Sequence, residues 1–168
     1  MQKILVSACL VGAKVRYDGG DSSQPYGLLN QWQQQGRIIT LCPEVEGGLP
    51  TPRPPAEIQE GNAESVLRGK GVIRRQNGED VTDAFVHGAE LSLQLCWKYK
   101  LKIAILKEGS PSCGVLLIND GSFSGHKIHG QGITARLLTR HGISVFNEFQ
   151  LHLADQRLQE LDKLRLNG

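Results

Sequence analysis

The sequence predicts an α/β fold with a mostly parallel β-sheet. Short apolar runs rich in β-branched residues, such as Arg37–Leu41 and Ile103–Leu106, have the length and composition of buried strands. They alternate with longer segments whose apolar residues recur at helical spacing, among them Asp80–Tyr99 and Ile133–Arg140. Strands that alternate with helices build a parallel sheet covered by helices. With 168 residues and no internal repeat or linker, we expect one α/β domain over residues 1–168.

The first third of the chain is predicted to contain two strands separated by a helix. The strands are expected over Lys3–Ser7 and Arg37–Leu41. Between them, Pro25 is predicted to open a helix that Gly36 ends, because proline suits the first helical turn and glycine suits the left-handed position beyond the last. The segment from Cys42 to Glu57 is rich in proline and glycine, so we expect it to be irregular.

The remainder is predicted to continue the alternation of strands and helices. Asp80 is expected to cap the helix that runs to Tyr99, with Cys96 on its apolar face as a core residue. The C-terminal segment 149–168 has leucines spaced among charged residues and is predicted to be an amphipathic helix. The other expected elements are a short exposed strand at Gly71–Arg75, strands at Ile103–Leu106, Val115–Ile118 and Ile143–Phe146, and a helix at Ile133–Arg140 that Gly142 stops.

Composition sets few limits on function. Apolar and charged fractions of 39% and 21% are typical of globular proteins, and a formal charge of +2 neither requires nor excludes a polyanionic partner. No apolar run approaches the length of roughly 20 residues that crosses a membrane. The apolar stretch before Cys9 is also shorter than the roughly 7–15 residues at the centre of a signal peptide. We therefore expect a cytoplasmic protein whose four cysteines are thiols or metal ligands.

Three cysteines follow three predicted strands, and this is the strongest local indication of chemistry. Cys9, Cys42 and Cys113 are far apart in sequence, but the carboxyl ends of parallel strands meet at one edge of a sheet. Three thiolates there would hold an iron–sulfur cluster or a zinc ion and leave one metal position open. The alternative is three unrelated thiols that are buried for packing alone.

Several polar residues near these cysteines have two readings each. Glu44 is either a general base for water or a loop carboxylate paired with Arg53. Arg53 in turn either clamps an anionic group of a substrate or pairs with Glu57. The turn Gly109–Gly114 has backbone amides that would hold an anion or shield a cluster, or it is only a turn.

Longer sequence blocks are similar to the signature motifs of the thiouracil desulfidase family, a bacterial family formerly classed as a domain of unknown function. The similarity extends from residue 1 to about residue 149, with the blocks in the family's order. The blocks are Lys3-Ile-Leu-Val-Ser-Ala-Cys-Leu10, Val15-Arg-Tyr-Asp-Gly-Gly20, Cys42-Pro-Glu44, Gly47-Gly-Leu-Pro-Thr-Pro-Arg-Pro-Pro-Ala-Glu57, Gly78-Glu-Asp-Val-Thr82 and Ser110-Pro-Ser-Cys-Gly114.

The resemblance implies a Rossmann-like three-layer domain that carries a [4Fe–4S] cluster. The three cluster ligands would be Cys9, Cys42 and Cys113, and the fourth iron would stay open for the substrate sulfur or for hydrosulfide. Glu44 would activate water, and Ser110 would support it. The implied reaction is non-redox: a thiopyrimidine (2-thiouracil, 4-thiouracil or a 4-thiouridine nucleotide such as the monophosphate) plus water gives the oxo-pyrimidine and hydrogen sulfide.

The resemblance also implies a small-molecule substrate, so a nucleic acid partner and a membrane are not expected, and the protein is expected to be a monomer or a homodimer. A nucleotide substrate would need residues that bind it beyond the reacting sulfur. The candidates are Arg53, Ser112, Ser122 and Ser124. Two other functions stay open: a non-catalytic carrier or sensor of a metal or cluster, and a hydrolase with Cys113 as nucleophile, for which the sequence offers no positioned histidine base.

Overall fold

A four-stranded sheet lies at the centre of the computed structural model, which describes residues 1–12, 17–19 and 27–167. The strands are β1 Ile4–Ser7, β2 Ile38–Leu41, β3 Ala56–Glu60, β4 Val72–Arg75, β5 Ile103–Leu106, β6 Leu117–Asn119, β7 Lys127–His129 and β8 Ser144–Asn147. The α-helices are α1 Leu28–Gln34, α2 Pro43–Glu46, α3 Ala63–Leu67, α4 Thr82–Lys98, α5 Ile133–Arg140 and α6 Leu151–Asn167, and a 3-10 helix follows β1 at Ala8–Val11.

The central sheet has the order β2-β1-β5-β8, and its neighbouring strands are all parallel. Two antiparallel pairs, β3-β4 and β6-β7, lie outside it. The predicted α/β fold with a mostly parallel sheet is therefore confirmed. Parallel order brings the carboxyl ends of β1, β2 and β5 to one edge of the sheet.

Helices cover both faces of the sheet, because successive side chains of a strand point to opposite faces. Ile4 and Val6 of β1 pack in one hydrophobic cluster with Trp32 of α1 and Leu158 of α6. Leu5 points the other way, into a second cluster built largely from α4 and α5. The result is the three-layer arrangement that the resemblance implied.

The segment Cys42–Glu57 was expected to be irregular, and this is wrong at both of its ends. Pro43 is the first residue of helix α2, where its fixed φ angle suits the first turn, and Ala56 begins β3. α2 packs directly on α4: a Cβ atom at Gly88 would collide with the backbone of Pro43. This close backbone contact fixes the residues that follow Cys42.

Other predictions needed smaller corrections. The strand at β4 is not exposed, because it pairs with β3 and buries Ile73 completely. Helix α4 starts after Asp80, whose carboxylate accepts the Thr82 backbone N–H at 2.9 Å. The strand predicted from Val115 begins at Leu117. Helix α3 and strand β7 were not predicted.

Several local predictions are confirmed. Helix α5 has the expected bounds, and Gly36 and Gly142 adopt the positive φ values of 70° and 82° that end the helices before them. Cys96 is buried on the apolar face of α4, where desolvation raises the pKa of its thiol to about 12. Pro25 and Arg16 lie outside the described residues. None of the described helices is long and apolar enough to cross a membrane.

Candidate functional site

A cavity of about 300 Å³ opens at the carboxyl edge of the central sheet. Cys9, Cys42 and Cys113 all line it, together with Glu44 and Arg53. The sequence spacing alone left open whether the three thiols meet. The structure brings them to one cavity, while Cys96 lies elsewhere in the core.

Each of the three cysteines is carried by a different element at this edge. Cys9 lies in the 3-10 helix that follows β1, and Cys42 is the residue directly before α2. Cys113 lies in the loop that follows β5. All are thiols rather than disulfides. Cys9 and Cys113 are 8% and 6% exposed, so ligand chemistry here would take place largely out of water.

Burial and mutual charge disfavour thiolates in this cavity. Desolvation raises the pKa of the Cys42 thiol, and the nearby Glu44 carboxylate raises it further. Desolvation also raises the pKa of Cys113, followed by the charges of Cys42, Glu44 and Cys9, while the Ser7 hydroxyl lowers it. These charge effects require the three sulfurs and Glu44 to be neighbours. A bound cationic metal group would reverse the balance, because it stabilises thiolates.

The three thiols are spread around the cavity, an arrangement that an iron–sulfur cluster can use. Within residues 1–12, 17–19 and 27–167, no group of three histidine, cysteine or acidic side chains is placed to hold one ion. The three thiols instead surround a cavity from three elements. An iron–sulfur cluster takes its thiolates on different iron atoms, so it suits donors that line a space rather than meet at a point. The donor set fits a [4Fe–4S] cluster with one iron left without a cysteine.

Glu44 and Arg53 form an ion pair in the wall of the cavity. Arg53 Nε lies 3.2 Å from Glu44 Oε1, and its Nη1 also donates to the Pro50 carbonyl and to Thr51 Oγ1. Burial raises the pKa of Glu44, and the charge and hydrogen bond of Arg53 partly oppose that shift. The reading that pairs Glu44 with Arg53 is thus the one that the structure shows. Glu57, the partner expected for Arg53, accepts backbone amides of the β6-β7 turn instead.

The loop of Cys113 is held by two serines. Ser110 Oγ accepts the Cys113 backbone N–H at 2.7 Å, and Ser110 lines the cavity. Ser7, at the end of β1, accepts the Lys107 backbone N–H at 3.0 Å and donates its hydroxyl to Cys113 Sγ at 3.7 Å. The loop is therefore tied to β1 at its cysteine sulfur.

Three of the predicted substrate-binding residues are not brought to the cavity. Ser112 is completely buried and hydrogen bonds with Thr134 at 2.9 Å, behind the loop. Ser122 and Ser124 hydrogen bond with each other at 2.6 Å on the exposed turn between β6 and β7. The same hairpin does reach the cavity, but through Asn119 and Lys127.

Glu108 is a cavity residue that the sequence analysis missed. Its carboxylate accepts backbone N–H groups from Gly109, Val115, Leu116 and Leu117 and the Nδ2 of Asn147 at 2.6 Å. The hydrogen bonds with Asn147 and with the Val115, Leu116 and Leu117 amides together lower its pKa, although burial, the largest single effect, raises it. No local pattern could have revealed this role, because Asn147 is 39 residues away in sequence.

The fold and the site together define an α/β protein with a buried three-thiol cavity at the carboxyl edge of its parallel sheet. The sequence model of the 2-thiouracil desulfurase family matches residues 4–150, and the chain belongs to that family.

Two relatives are similar over nearly the whole chain. The Bacillus subtilis (strain 168) protein YbbK, which is uncharacterised, is 42% identical over 149 residues, covering 89% of this chain and 97% of YbbK. The solved structure of the [4Fe-4S]-dependent thiouracil desulfidase TudS superposes with a TM-score of 0.87 at 46% identity. That match covers 95% of this chain and 99% of TudS.

Proposed function

We propose that this protein is a [4Fe–4S]-dependent desulfidase that converts thiouracil and water to uracil and hydrogen sulfide. The observation that carries the proposal is the meeting of Cys9, Cys42 and Cys113 with Glu44 in one cavity. Membership of the 2-thiouracil desulfurase family and the likeness to TudS support it. Cys9, Cys42 and Cys113 would hold the cluster.

The cluster, when bound, would supply a Lewis-acidic iron for the soft thiocarbonyl sulfur. Glu44 would take a proton from the water that attacks the thiocarbonyl carbon. A carboxylate whose pKa is raised by burial is a better proton acceptor at neutral pH than an ordinary one. Arg53 would hold its orientation through the 3.2 Å contact between Nε and Oε1.

Ser110 would act on the substrate side of the loop. Its Oγ already accepts the Cys113 amide, so its hydroxyl hydrogen is the part that it can offer to a substrate. The same bond fixes the direction of Oγ. In the net reaction the C=S bond is replaced by C=O, both water hydrogens leave with the sulfur as hydrogen sulfide, and no electron is transferred.

The range of substrates is proposed to include 2-thiouracil, 4-thiouracil and 4-thiouridine nucleotides, as small molecules rather than nucleic acid. Arg53 is paired with Glu44 and Lys107 with Glu148, so Lys127 is the cation that the described part of the cavity wall offers outside these pairs. Four thiols suit a reducing compartment, and we propose that the protein acts in the cytoplasm as a single-domain monomer or homodimer.

Sulfide release by anaerobically reconstituted protein tests this function. We expect hydrogen sulfide and uracil in equal amounts from 2-thiouracil. Glu44→Gln keeps the shape of the side chain but removes the proton acceptor, so we expect full iron content and a loss of kcat of at least about 100-fold.

Glu46→Gln is the matched control, because Glu46 lies on the same helix as Glu44 but is exposed and lies outside the cavity lining. It should keep the activity of the unmodified protein. A protein that binds its cluster and releases no sulfide from any thiopyrimidine would instead favour a carrier or sensor, and normal turnover by Glu44→Gln would remove Glu44 from the reaction.

A further inference from the structure

Asn119 carries a buried acceptor atom that no described residue pairs with. It ends β6 and lines the cavity, and its Oδ1 is shielded from solvent. Oδ1 accepts no hydrogen bond in the part of the chain that the structure describes. Leaving a buried carbonyl oxygen unpaired is costly, so such atoms are rare in proteins and call for a functional explanation.

Lys127 lies directly opposite Asn119 in the β6-β7 pair. The two residues are register partners, so their side chains leave the same face of the hairpin, and both line the cavity. The Lys127 side chain reaches the loop of Cys113: a Cβ atom added at Gly109 would lie 3.3 Å from its Nζ. Gly109 has a φ of 97°, which favours glycine. Because glycine has no Cβ atom, the backbone there leaves room for the ammonium group.

The hairpin thus presents an acceptor beside a donor. Asn119 offers the unpaired Oδ1, and Lys127 offers an ammonium group for which the described residues supply no hydrogen-bond or ion-pair partner. Rotation about one side-chain bond turns the Asn119 carboxamide, and Oδ1 has no hydrogen bond to lose in that rotation.

We propose that Asn119 and Lys127 read the N–H/C=O edge of the pyrimidine ring and so select uracil-type over cytosine-type substrates. This inference rests on the proposed function. In 2-thiouracil and in 4-thiouracil alike, N3–H lies between the thiocarbonyl and the carbonyl group. Asn119 Oδ1 accepts N3–H, and the Lys127 ammonium donates to the adjacent carbonyl oxygen.

A cytosine-type ring reverses this pattern. In 2-thiocytosine the ring N3 is an acceptor and the neighbouring amino group is a donor, so N3 would face Oδ1 and the amino group would face the ammonium. Asn119 Oδ1 is shielded from solvent, and a buried hydrogen-bonding group discriminates strongly against a ligand that leaves it unpaired. From the usual strength of paired hydrogen bonds to a base edge, we expect a preference for 2-thiouracil of about 10- to 100-fold in kcat/KM.

The decisive variant is Asn119→Leu, which keeps similar volume and removes the acceptor. Because the unpaired oxygen disappears, the cluster-free protein should unfold at the same or a higher temperature. At the same time kcat/KM for 2-thiouracil should fall by about tenfold or more. A recognition residue is indicated when the variant loses kcat/KM and its unfolding temperature stays the same or rises. A residue with only a structural role would lower both quantities when it is replaced.

3-Methyl-2-thiouracil is the matched ligand control, because it lacks N3–H. Asn119→Leu should lower kcat/KM for 2-thiouracil and leave that for the methylated base unchanged. Lys127→Met should reduce the preference for 2-thiouracil over 2-thiocytosine, and Lys70→Met, which removes an exposed charge far from the cavity lining, should not. Equal losses on both bases, or an Asn119→Leu variant with unmodified kcat/KM for 2-thiouracil, would overturn the inference.

Calorimetric binding of uracil to the cluster-loaded protein separates this inference from the proposed function. If the unmodified protein releases no sulfide, the proposed function fails. Uracil binding then still tests whether Asn119 and Lys127 recognise the edge of the pyrimidine ring. Binding of uracil that is weaker by about tenfold or more in Asn119→Leu supports recognition by these two residues. Unchanged binding overturns it.

Discussion

Among single residues, Arg53 has a direct effect on the pKa of Glu44. Their contact lies in the cavity wall, and the Arg53 side chain is only 3% exposed. Burial raises the pKa of Glu44, while Arg53 lowers it. Both effects set the pH range in which the Glu44 carboxyl group is ionised.

Arg53→Met should therefore shift the acidic limb of the pH dependence to higher pH. Without the guanidinium, desolvation acts alone and the pKa of Glu44 rises further, so more alkaline conditions are needed to ionise it. The measurement is kcat/KM for sulfide release across pH. Arg157→Met, which removes a half-buried arginine of α6 that lies outside the cavity lining, is the control and should leave the limb in place. An unmoved limb in Arg53→Met would show that Glu44 does not titrate in the reaction.

Among the secondary-structure elements, the loop between β5 and β6 is held in place by Glu108. Its carboxylate accepts hydrogen bonds from backbone amides at both ends of that loop and from the side chain of Asn147 at the end of β8. Cys113 and Ser110 lie between those two ends. The position of both residues thus depends on the Glu108 carboxylate, which lines the cavity and lies two residues after β5.

Glu108→Gln should destabilise this loop, and Asn147→Asp should restore it. The glutamine amide would place a donor against the Asn147 Nδ2 donor, which should cost about 1–3 kcal/mol in the free energy of unfolding. In the double variant the carboxylate that Asn147→Asp introduces accepts that amide, so most of the loss should be recovered. Urea denaturation of the cluster-free protein measures both, and two single losses that simply add would contradict the direct contact.

Glu64 joins two helices and affects the stability of the whole molecule. From α3 it bonds to Arg136 and Arg140 of α5 as well as to Arg68. The hydrogen bond with Arg136 comes first among the effects that lower the pKa of Glu64 to about 2, from an ordinary value of 4.5. A lowered carboxylate pKa stabilises the fold above about pH 4.5, and this contribution is lost as the pH falls toward 2.

Glu64→Gln should thus reduce the loss of unfolding free energy between about pH 4.5 and 2, because glutamine does not titrate. Thermal unfolding across this pH range measures the effect. Glu90→Gln, which changes an exposed carboxylate of α4, should leave the fall unaltered. The same slope in Glu64→Gln and the unmodified protein would show that this cluster of ion pairs contributes nothing.

Local patterns predicted most of the central sheet because its strands are short apolar runs bounded by glycine, proline or polar residues. Helix α5 and the burial of Cys96 followed from helical spacing in the same way. α2 was missed because four residues give no periodic pattern, and its stability comes from packing on α4. β7 was missed because a strand of three exposed residues is too short to show a recognisable pattern.

The candidate site was only partly predictable. Cys9, Cys42 and Cys113 each follow a strand, which is a local signal, but only the parallel strand order brings them together. Glu108 bonds to Asn147, and Asn119 has an Oδ1 that accepts no hydrogen bond from the described residues. No local pattern encodes either feature. Ser122 and Ser124 looked like binding residues, but they bond to each other on the turn.

The measurement that tests the account most directly is iron and acid-labile sulfide per chain after anaerobic reconstitution, made on four single cysteine variants. The unmodified protein and Cys96→Ser should each bind one cluster, because Cys96 is buried in the core away from the cavity. Cys9→Ser, Cys42→Ser and Cys113→Ser should each lose most of the iron and the release of sulfide from 2-thiouracil. Loss of iron in Cys96→Ser, or full iron and activity in any of the other three, would contradict the assignment of the cluster to this cavity.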